Sequence, residues 1–276
     1  MNKADQVIDD FSVKAKTKTQ LSFGRLMLLG ILAGAFIAMG YLAFVRVAGT
    51  TPKAWGSFST FLGACLFPIG LLAIVFLGGE LVTGNMMVLT FGYLKKTVTL
   101  FDMAKNWILV LIANCLGGAL IAFLFGHVVG LTEGDFAAKT IAIATAKLAD
   151  SPTAMVVSGI GCNILVGMAI FLGAMSKDFF GKVVGVWFPI MIFVISGFQH
   201  VVANAFILTA AVLAGAPFTA GALLTNIVLV FVGNAIGASI GLAVPVYFAN
   251  HTAAPVAATT VVTEPVSKSV NQVINR

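Results

Sequence analysis

The chain has 276 residues, of which 59% are apolar and only 9% are charged, and its mean hydropathy is +1.05. Soluble domains carry about 25% charged residues, so this composition excludes an ordinary soluble domain and indicates an integral membrane protein with several spans. The net charge of +6 does not indicate a nucleic-acid partner, because the basic residues are scattered among the predicted loops. Three cysteines lie in apolar segments without metal-ligand spacing, so no metal site and no cofactor are predicted.

Apolar runs of about 20 residues predict six transmembrane helices in an all-α integral membrane protein. In chain order they cover 25–47, 58–94, 106–130, 154–175, 184–214 and 222–249. The second and fifth runs are too interrupted for one simple span, so helices two and five are predicted to be broken. Residues 25–250 then form the channel domain, preceded by a polar, lysine-bearing cytoplasmic segment, 1–24, and followed by a disordered cytoplasmic tail, 251–276.

The basic residues are distributed unevenly between the loops, which predicts the orientation of the chain. Twelve of the sixteen fall on one side: Lys3, Lys14, Lys16, Lys18, Arg25, Lys95, Lys96, Lys105, Lys177, Lys182, Lys268 and Arg276. The other side has Arg46, Lys53, Lys139 and Lys147. Cytoplasmic loops carry an excess of lysine and arginine, so both termini are predicted to be cytoplasmic.

The halves of the channel domain, about 25–130 and 154–249, repeat one another. "FPIGLLAIVFLGGELVTGN" at 67–85 matches "FPIMIFVISGFQHVVAN" at 188–204, and "NWILVLIANCLGGALI" at 106–121 matches "NIVLVFVGNAIGASIG" at 226–241. Three spans separate the matching positions, and an odd number reverses the direction of travel. An inverted repeat with paired interrupted helices is typical of transporters and channels, and the interruptions indicate the translocation site.

Each interruption predicts a break in a helix at membrane depth. Gly78, Gly79 and Gly84 allow the backbone to leave the helix, because glycine tolerates dihedral angles that other residues resist. Half-helices are predicted to begin near Asn85 and near Ala203 or Asn204. Their positive ends would converge from opposite sides, which favours a transient anion.

Three polar residues are candidates for contact with a permeant, two at the breaks and one on the outer side just before the fourth span. His200 lies at the centre of a span, where an ionisable group is functional by default, the alternative being a histidine that hydrogen-bonds between helices. Thr83 either bonds a backbone carbonyl or faces a pore. Lys147, in "ATAKLADSP", is either a solvated loop lysine or a cation at the pore mouth.

The remaining polar groups are predicted to support the structure. Glu80 is expected to be neutralised or hydrogen-bonded to backbone amides, and Gln199 is its uncharged counterpart. Asn85 and Asn204 are candidate caps of the half-helices. Asn114 and Asn234 are candidates for hydrogen bonds between helices. Five large apolar residues, Phe67, Leu71, Leu81, Val82 and Phe193, either pack the core or form constrictions that strip water from a permeant.

Two other function classes are disfavoured. An aquaporin-like pore for small neutral solutes would share the six spans and inverted half-helices, but paired Asn-Pro-Ala motifs are absent and no arginine occurs between Arg46 and Arg276. An enzyme is disfavoured because the sequence has no metal cluster, nucleophile-base pair or phosphate-binding loop.

The sequence resembles the formate/nitrite transporter family over nearly all of residues 10–250. The resemblance depends on "GELVTGNM", "NWILVLIANCLGG", the lysine in "ATAKLA", "GIGCNILVGMA", "GFQHVVANAF" and "NIVLVFVGNAIG". It implies a homopentamer with an aquaporin-like pore in each protomer, in the cytoplasmic membrane of a prokaryote, surrounded by lipid. The implied substrates are small monovalent weak-acid anions such as formate, nitrite and hydrosulfide.

The resemblance also implies roles for particular residues. The pore threonine, pore histidine, vestibule lysine and sixth-helix asparagine fall on Thr83, His200, Lys147 and Asn234. The implied constrictions are Phe67, Leu71 and Phe193 on the outer side and Leu81 with Val82 on the inner side.

Two departures from the family pattern bear on the substrate. Many formate members have phenylalanine at the position of Val82 and glutamate at the position of Gln199. The valine changes the shape of the inner constriction and the glutamine removes a carboxylate beside the histidine. Both favour hydrosulfide over formate. The expected mechanism is protonation of the permeant at His200, since a neutral acid avoids the cost of desolvating an anion.

Overall fold

The computed structural model describes residues 1–250, apart from the side chain of Lys53, and within that range it contains helices but no strands. The α-helices are α1 Ala4–Thr19, α2 Phe23–Ala48, α3 Ser57–Leu66, α4 Ile69–Leu77, α5 Val82–Leu94, α6 Leu100–Ile121, α7 Ala137–Ala149, α8 Pro152–Met175, α9 Phe179–Ile195, α10 Val201–Leu213, α11 Ala220–Ile236 and α12 Val244–Asn250. Short 3-10 helices cover Lys53–Trp55 and Gly134–Phe136, and π-helical segments, Ala122–Val128 and Gly237–Ala243, extend α6 and α11. The predicted tail, 251–276, lies outside the described residues.

Among the described residues, five helical stretches are long and apolar enough to cross a membrane. They are Phe23–Ala48, Ser57–Leu77, Leu100–Val128, Pro152–Met175 and Ala220–Asn250. The fifth predicted region consists instead of two shorter apolar helices, α9 and α10. Residues 78–81 separate α4 from α5, and residues 196–200 separate α9 from α10. We call these segments the first break and the second break.

The N-terminal segment forms a helix that belongs to the bundle. One face of α1 is buried, with Val7, Ile8, Phe11 and Ala15 at most 3% exposed. The Phe11 ring stacks on Phe91 of α5 at a centroid distance of 6.1 Å. In the second half, α7 contacts α10 as α1 contacts α5. The inverted repeat therefore includes α1 and α7, a correspondence that the apolar runs alone do not indicate.

Glycines set the closest helix crossings in both halves. A Cβ atom on Gly117 of α6 would lie 2.1 Å from the carbonyl oxygen of Ile31 in α2. A Cβ atom on Gly237 would lie 2.3 Å from the carbonyl oxygen of Ile160 in α8. Because real Cβ atoms do not approach this closely, the α2–α6 and α8–α11 crossings both require glycine. The sequence match between Gly117 and Gly237 thus corresponds to matching backbone contacts.

The two breaks have matching backbone geometry but use fewer glycines for it than expected. Gly78 has φ 90° and Gly197 has φ 72°, a left-handed region that other residues rarely adopt. Gly84 instead lies within α5, where a Cβ atom would approach Ile170 to 2.7 Å. Its role is therefore close packing, which corrects the expectation that it loosens the first break.

The half-helices begin earlier than predicted, at Val82 rather than near Asn85 and at Val201 rather than near Ala203 or Asn204. The two N-cap residues are Leu81 and His200, both with extended backbone dihedrals. Asn85 is therefore in the first turn and does not cap its helix. The same correction applies to Asn204, and the reason is that both asparagine side chains are engaged elsewhere, as described below.

Candidate functional site

An asparagine on the neighbouring helix holds each break. Asn114 of α6 accepts the Val82 N–H at 2.9 Å and donates to the carbonyl oxygens of Gly30 and Glu80, both at 2.8 Å. Asn234 of α11 accepts the Val201 N–H at 3.0 Å. Both Asn114 and Asn234 are fully buried.

Asn234 also donates to two carbonyl oxygens, as Asn114 does. The Asn234 Nδ2 donates to the carbonyl oxygens of Gly159 at 2.8 Å and of Gln199 at 3.1 Å. Each asparagine thus pairs the first N–H of a half-helix and a carbonyl oxygen of the break at the same time. Buried backbone groups at membrane depth need such partners.

A second pair of asparagines ties each half-helix to its break. Asn85 donates to Glu80 Oε2 at 2.7 Å and to Asn106 Oδ1 at 2.9 Å. Asn204 donates to Gln199 Oε1 at 2.6 Å and to Asn226 Oδ1 at 2.8 Å. These bonds explain why neither Asn85 nor Asn204 serves as a cap.

The distal atoms of Glu80 and Gln199 meet different partners. Glu80 Oε1 accepts from Lys18 Nζ at 2.8 Å, so an ion pair neutralises this carboxylate, with only 6% of Glu80 exposed. Gln199 Nε2 donates to Asp150 Oδ2 at 2.7 Å and to the Lys147 carbonyl oxygen at 2.9 Å. Of the two alternatives expected for Glu80, neutralisation is therefore the one that the contacts support.

Thr83 and His200 meet between the two half-helices. Their Oγ1 and Nε2 atoms are 3.0 Å apart, and the His200 Nδ1 accepts the Ala203 N–H at 3.1 Å. Because Nδ1 accepts, a neutral ring carries its proton on Nε2 and donates it to Thr83. The Thr83 hydroxyl then keeps its own proton for a further acceptor. Both residues are at most 2% exposed.

Aromatic rings surround this pair on one side. Phe193 stacks on His200 at a centroid distance of 5.7 Å and contacts Phe67 edge to face at 5.5 Å. Phe67 also contacts Tyr41 at 5.4 Å. These rings are almost fully buried, so they form an apolar layer next to the polar pair.

Two lysine-lined cavities reach the region of the breaks, the first at His200 and the second at Leu81. The first, of about 320 Å³, includes Lys147, Asp150, Phe67, Phe193 and His200 in its lining, and we call it the Lys147 cavity. Lys139 also lines it, so two lysines predicted for the outer side share this cavity.

The second cavity, of about 250 Å³, includes Lys14, Lys18 and Lys182 in its lining, and we call it the Lys18 cavity. All three lysines are among those predicted for the inner side. Leu71 and Leu81 also line it, so Leu71 faces the Lys18 cavity and not the outer side that the resemblance implied. Val82 is fully buried and is not among the lining residues of either cavity.

Lys147 lies over the second break and makes no ion pair within 4 Å among the described residues. Its Nζ donates to the carbonyl oxygens of Gly197 at 2.8 Å and of Phe198 at 2.9 Å. Helix α7, which carries it, is outside the candidate spans. Burial lowers the pKa of Lys147 to about 8. The residue is therefore protonated below that pH and loses its charge above it.

The structure brings together the predicted site residues and several that sequence reasoning missed. Asn163 of α8 donates to the carbonyl oxygens of Thr83 at 3.2 Å and Asn234 at 2.8 Å, so it joins the two halves at the centre. Four more residues complete the networks: Lys18, Asn106, Asp150 and Asn226. The aligned pair "NWILV" and "NIVLV" could have indicated Asn106 and Asn226, but Lys18 lies outside the predicted repeat.

These features define a class of protein. Inverted halves, two broken helices whose N-termini converge on a buried polar pair, and two lysine-lined cavities are typical of a membrane channel or transporter. Consistent with that class, the model of the formate/nitrite transporter family matches residues 5–248. The chain therefore belongs to the formate/nitrite transporter family, which consists of transporters and not of enzymes.

Relatives and solved structures agree with this assignment. The chain is 44% identical over 250 residues to the uncharacterized transporter YrhG of Bacillus subtilis, covering 90% of this chain and 94% of YrhG. It is 43% identical over 236 residues to the formate channel BtFdhC of Bacillus thuringiensis, covering 86% and 91% of the two chains.

The fold also matches solved structures. An FNT family ion channel superposes with a TM-score of 0.84 at 21% identity, over 90% of this chain and all of the other. A pentameric formate channel with formate bound superposes with a TM-score of 0.71 at 23% identity, over 82% and 96%. The predicted all-helical membrane fold and the predicted formate/nitrite transporter family are confirmed.

Proposed function

We propose that the protein conducts small monovalent weak-acid anions across the membrane through a pore in each protomer, with the permeant neutralised at the Thr83–His200 pair. The observation that carries the proposal is this buried hydroxyl–imidazole contact, with His200 lining the Lys147 cavity and the neighbouring Leu81 lining the Lys18 cavity. Formate is the first candidate substrate, because a relative that is 43% identical is named a formate channel. The preference for hydrosulfide, expected from Val82 and Gln199, stays a prediction.

The route has three stages. Lysines at each cavity and the positive ends of α5 and α10 attract the anion. The apolar layer of Phe67 and Phe193 then removes its water, which raises the pKa of the acid, because burial disfavours the charged form. The permeant takes a proton, passes as the neutral acid and ionises again in the opposite cavity.

The tautomer of His200 limits how the proton can move. With Nδ1 accepting the Ala203 N–H, the ring can exchange a proton only at Nε2, next to Thr83. A neutral imidazole gives a hydrogen bond there but no net proton. We propose that it orients the Thr83 hydroxyl as a donor to the permeant and that cavity water supplies the proton that neutralises it. This replaces direct protonation by His200 with a positioning contact at Nε2.

We also propose that the protein is a homopentamer with both termini in the cytoplasm and lipid around its outer face. The structural neighbour titled a pentameric formate channel supports the assembly. Large apolar side chains are exposed along the long helices, for example Leu28, Ile108, Leu116, Val157 and Leu224. In a membrane protein such faces contact lipid or neighbouring protomers.

Stopped-flow measurements on proteoliposomes test the function. We expect formate, nitrite or hydrosulfide to enter at least about tenfold faster than in protein-free liposomes, a difference of about 1.4 kcal/mol in barrier. Water permeability should not rise. Fast water or neutral-solute flux without anion flux would contradict the proposal and favour the aquaporin-like alternative.

Two substitutions test the site itself. His200→Asn keeps a side-chain oxygen that can cap the Ala203 N–H but removes the ring Nε2 donor, and we expect a loss of at least about tenfold in flux. Thr83→Val keeps the shape and removes the hydroxyl, with a similar expected loss. His127→Asn is the matched control, because His127 pairs with Glu133 away from the pore. Unchanged flux in both pore variants would refute the assigned roles.

A further inference from the structure

Glu80 and Gln199 occupy equivalent positions in the two breaks but have opposite hydrogen-bonding needs. Each accepts from the asparagine five residues later, Asn85 at 2.7 Å and Asn204 at 2.6 Å. Once that oxygen is used, Glu80 presents a second acceptor, whereas Gln199 presents only its NH₂ donors. The partner of each must therefore differ in chemistry.

The structure supplies the matching partner in each half. Glu80 is paired with a cation, Lys18, at 2.8 Å. Gln199 Nε2 is 2.7 Å from the carboxylate oxygen Oδ2 of Asp150, the residue that ends α7. Lys147 of α7, three residues before Asp150, does not pair with Gln199 through its ammonium group. Its Nζ donates to the carbonyl oxygens of Gly197 and Phe198 instead. Each network therefore contains one carboxylate. In the first half it is Glu80, within the break, and in the second half it is Asp150, at the end of α7.

We propose that Asp150 is a positioning residue of the pore, which fixes the second break through Gln199 as the Lys18–Glu80 ion pair fixes the first. The Gln199 side chain is fully buried and its backbone precedes His200 directly. Loss of the Asp150 acceptor would leave one of the two buried N–H groups of this amide unpaired, because the Lys147 carbonyl oxygen accepts the other. Asp150 therefore holds the backbone that places the His200 ring against Thr83 and the carbonyl oxygens that receive Lys147.

The contact with Asp150 explains why this chain has glutamine at position 199, where many formate members have glutamate. A glutamate at position 199 would bring its carboxylate against the Asp150 carboxylate and against the Lys147 carbonyl oxygen, in the places that Gln199 Nε2 now occupies at 2.7 and 2.9 Å. Like charges at such a distance repel strongly in a buried setting. Gln199 is consequently compatible with Asp150, whereas a glutamate at position 199 is not.

A double-substitution cycle in the full-length protein tests the pair, using anion flux, which depends on the proposed function, and thermal unfolding in detergent, which does not. Gln199→Glu should lower flux by about tenfold. Asp150→Asn keeps an acceptor for Gln199 and should leave flux within about twofold. The double variant Gln199→Glu, Asp150→Asn should recover most of the loss, because the asparagine amide can donate to the new carboxylate. The melting temperatures should show the same coupling, with roughly 4 °C regained in the double variant.

Two further variants keep the test decisive if Gln199→Glu does not fold. Asp150→Ala removes the acceptor and should lower flux several-fold and shift its pH profile, since the second break loosens around His200. Asp135→Asn, which removes an exposed carboxylate from the short helix Gly134–Phe136, is the charge-matched control and should change neither quantity.

The outcomes separate this inference from the proposed function. Independent, additive effects of the two substitutions on both flux and melting temperature would overturn the role of Asp150. Wild-type flux by Asp150→Ala would overturn it as well. Absence of anion flux in the wild-type protein would refute the proposed function alone, since the coupling in melting temperature would still show whether the pair fixes the break.

Discussion

Removal of either buried asparagine that holds a break should destabilise the protein by a similar and large amount. Asn234→Ala deletes hydrogen bonds to the Val201 N–H and to the carbonyl oxygens of Gly159 and Gln199. A buried hydrogen bond contributes about 1 kcal/mol net, and an N–H left unpaired costs about 1–3 kcal/mol. The expected loss is therefore about 3–4 kcal/mol.

The equivalent change in the first half provides an internal comparison. Asn114→Ala deletes bonds to the Val82 N–H and to the carbonyl oxygens of Gly30 and Glu80, so its loss should agree within about 1 kcal/mol. For a chain of this size, such losses correspond to a drop of roughly 6–16 °C in melting temperature.

Thermal unfolding in detergent, followed by intrinsic fluorescence, measures this drop. Asn250→Ala is the matched control, since Asn250 is exposed and its side chain donates, among residues 1–250, to the Val246 carbonyl within its own helix. Its stability should change by less than about 0.5 kcal/mol. The reasoning is refuted if either buried variant loses less than about 1 kcal/mol, or if one is severely destabilised and the other is not.

Three further predictions concern packing, electrostatics and the apolar layer. Gly117→Ala should prevent close approach of α2 and α6 and lower the melting temperature, whereas Gly221→Ala, which has open space around its Cβ position, should not; equal melting temperatures would contradict this. Because the pKa of Lys147 is lowered to about 8, anion capture from its cavity should fall as the pH on that side rises through about 8. Lys147→Arg stays charged and should abolish that dependence in flux assays at constant neutral-acid concentration. Phe193→Ala should raise the flux of a larger anion such as lactate relative to formate, and an unchanged ratio would remove Phe193 from the selective layer.

Much of the fold follows from patterns that are strong in a membrane protein. Long apolar runs must become helices, because lipid leaves no other way to pair the backbone. The repeated Phe-Pro-Ile and Asn-containing segments correctly placed one break in each half. The position where each half-helix begins was wrong by two or three residues, since it depends on side chains of other helices, such as Asn114, that pair the first N–H groups.

The site residues could be predicted where a polar side chain lies inside an apolar run, and could not be predicted where a charged residue lies in a polar segment. His200 and Thr83 are conspicuous as polar groups inside apolar runs, and the structure places them 3.0 Å apart. Lys18 and Asp150 gave no such signal, because charged residues in loops and polar segments are usually solvated. Only the folded chain shows that α1 and α7 are equivalent and bring these charges to the breaks.

The central claim is that a weak acid crosses as a neutral species at the Thr83–His200 pair. The most direct measurement records internal pH in proteoliposomes that enclose a pH-sensitive dye while formate is added outside. The account predicts acidification of the interior that is at least about tenfold faster than in protein-free liposomes and that is lost in His200→Asn but kept in His127→Asn. Formate entry without acidification, or acidification that is unaffected by His200→Asn, would contradict it.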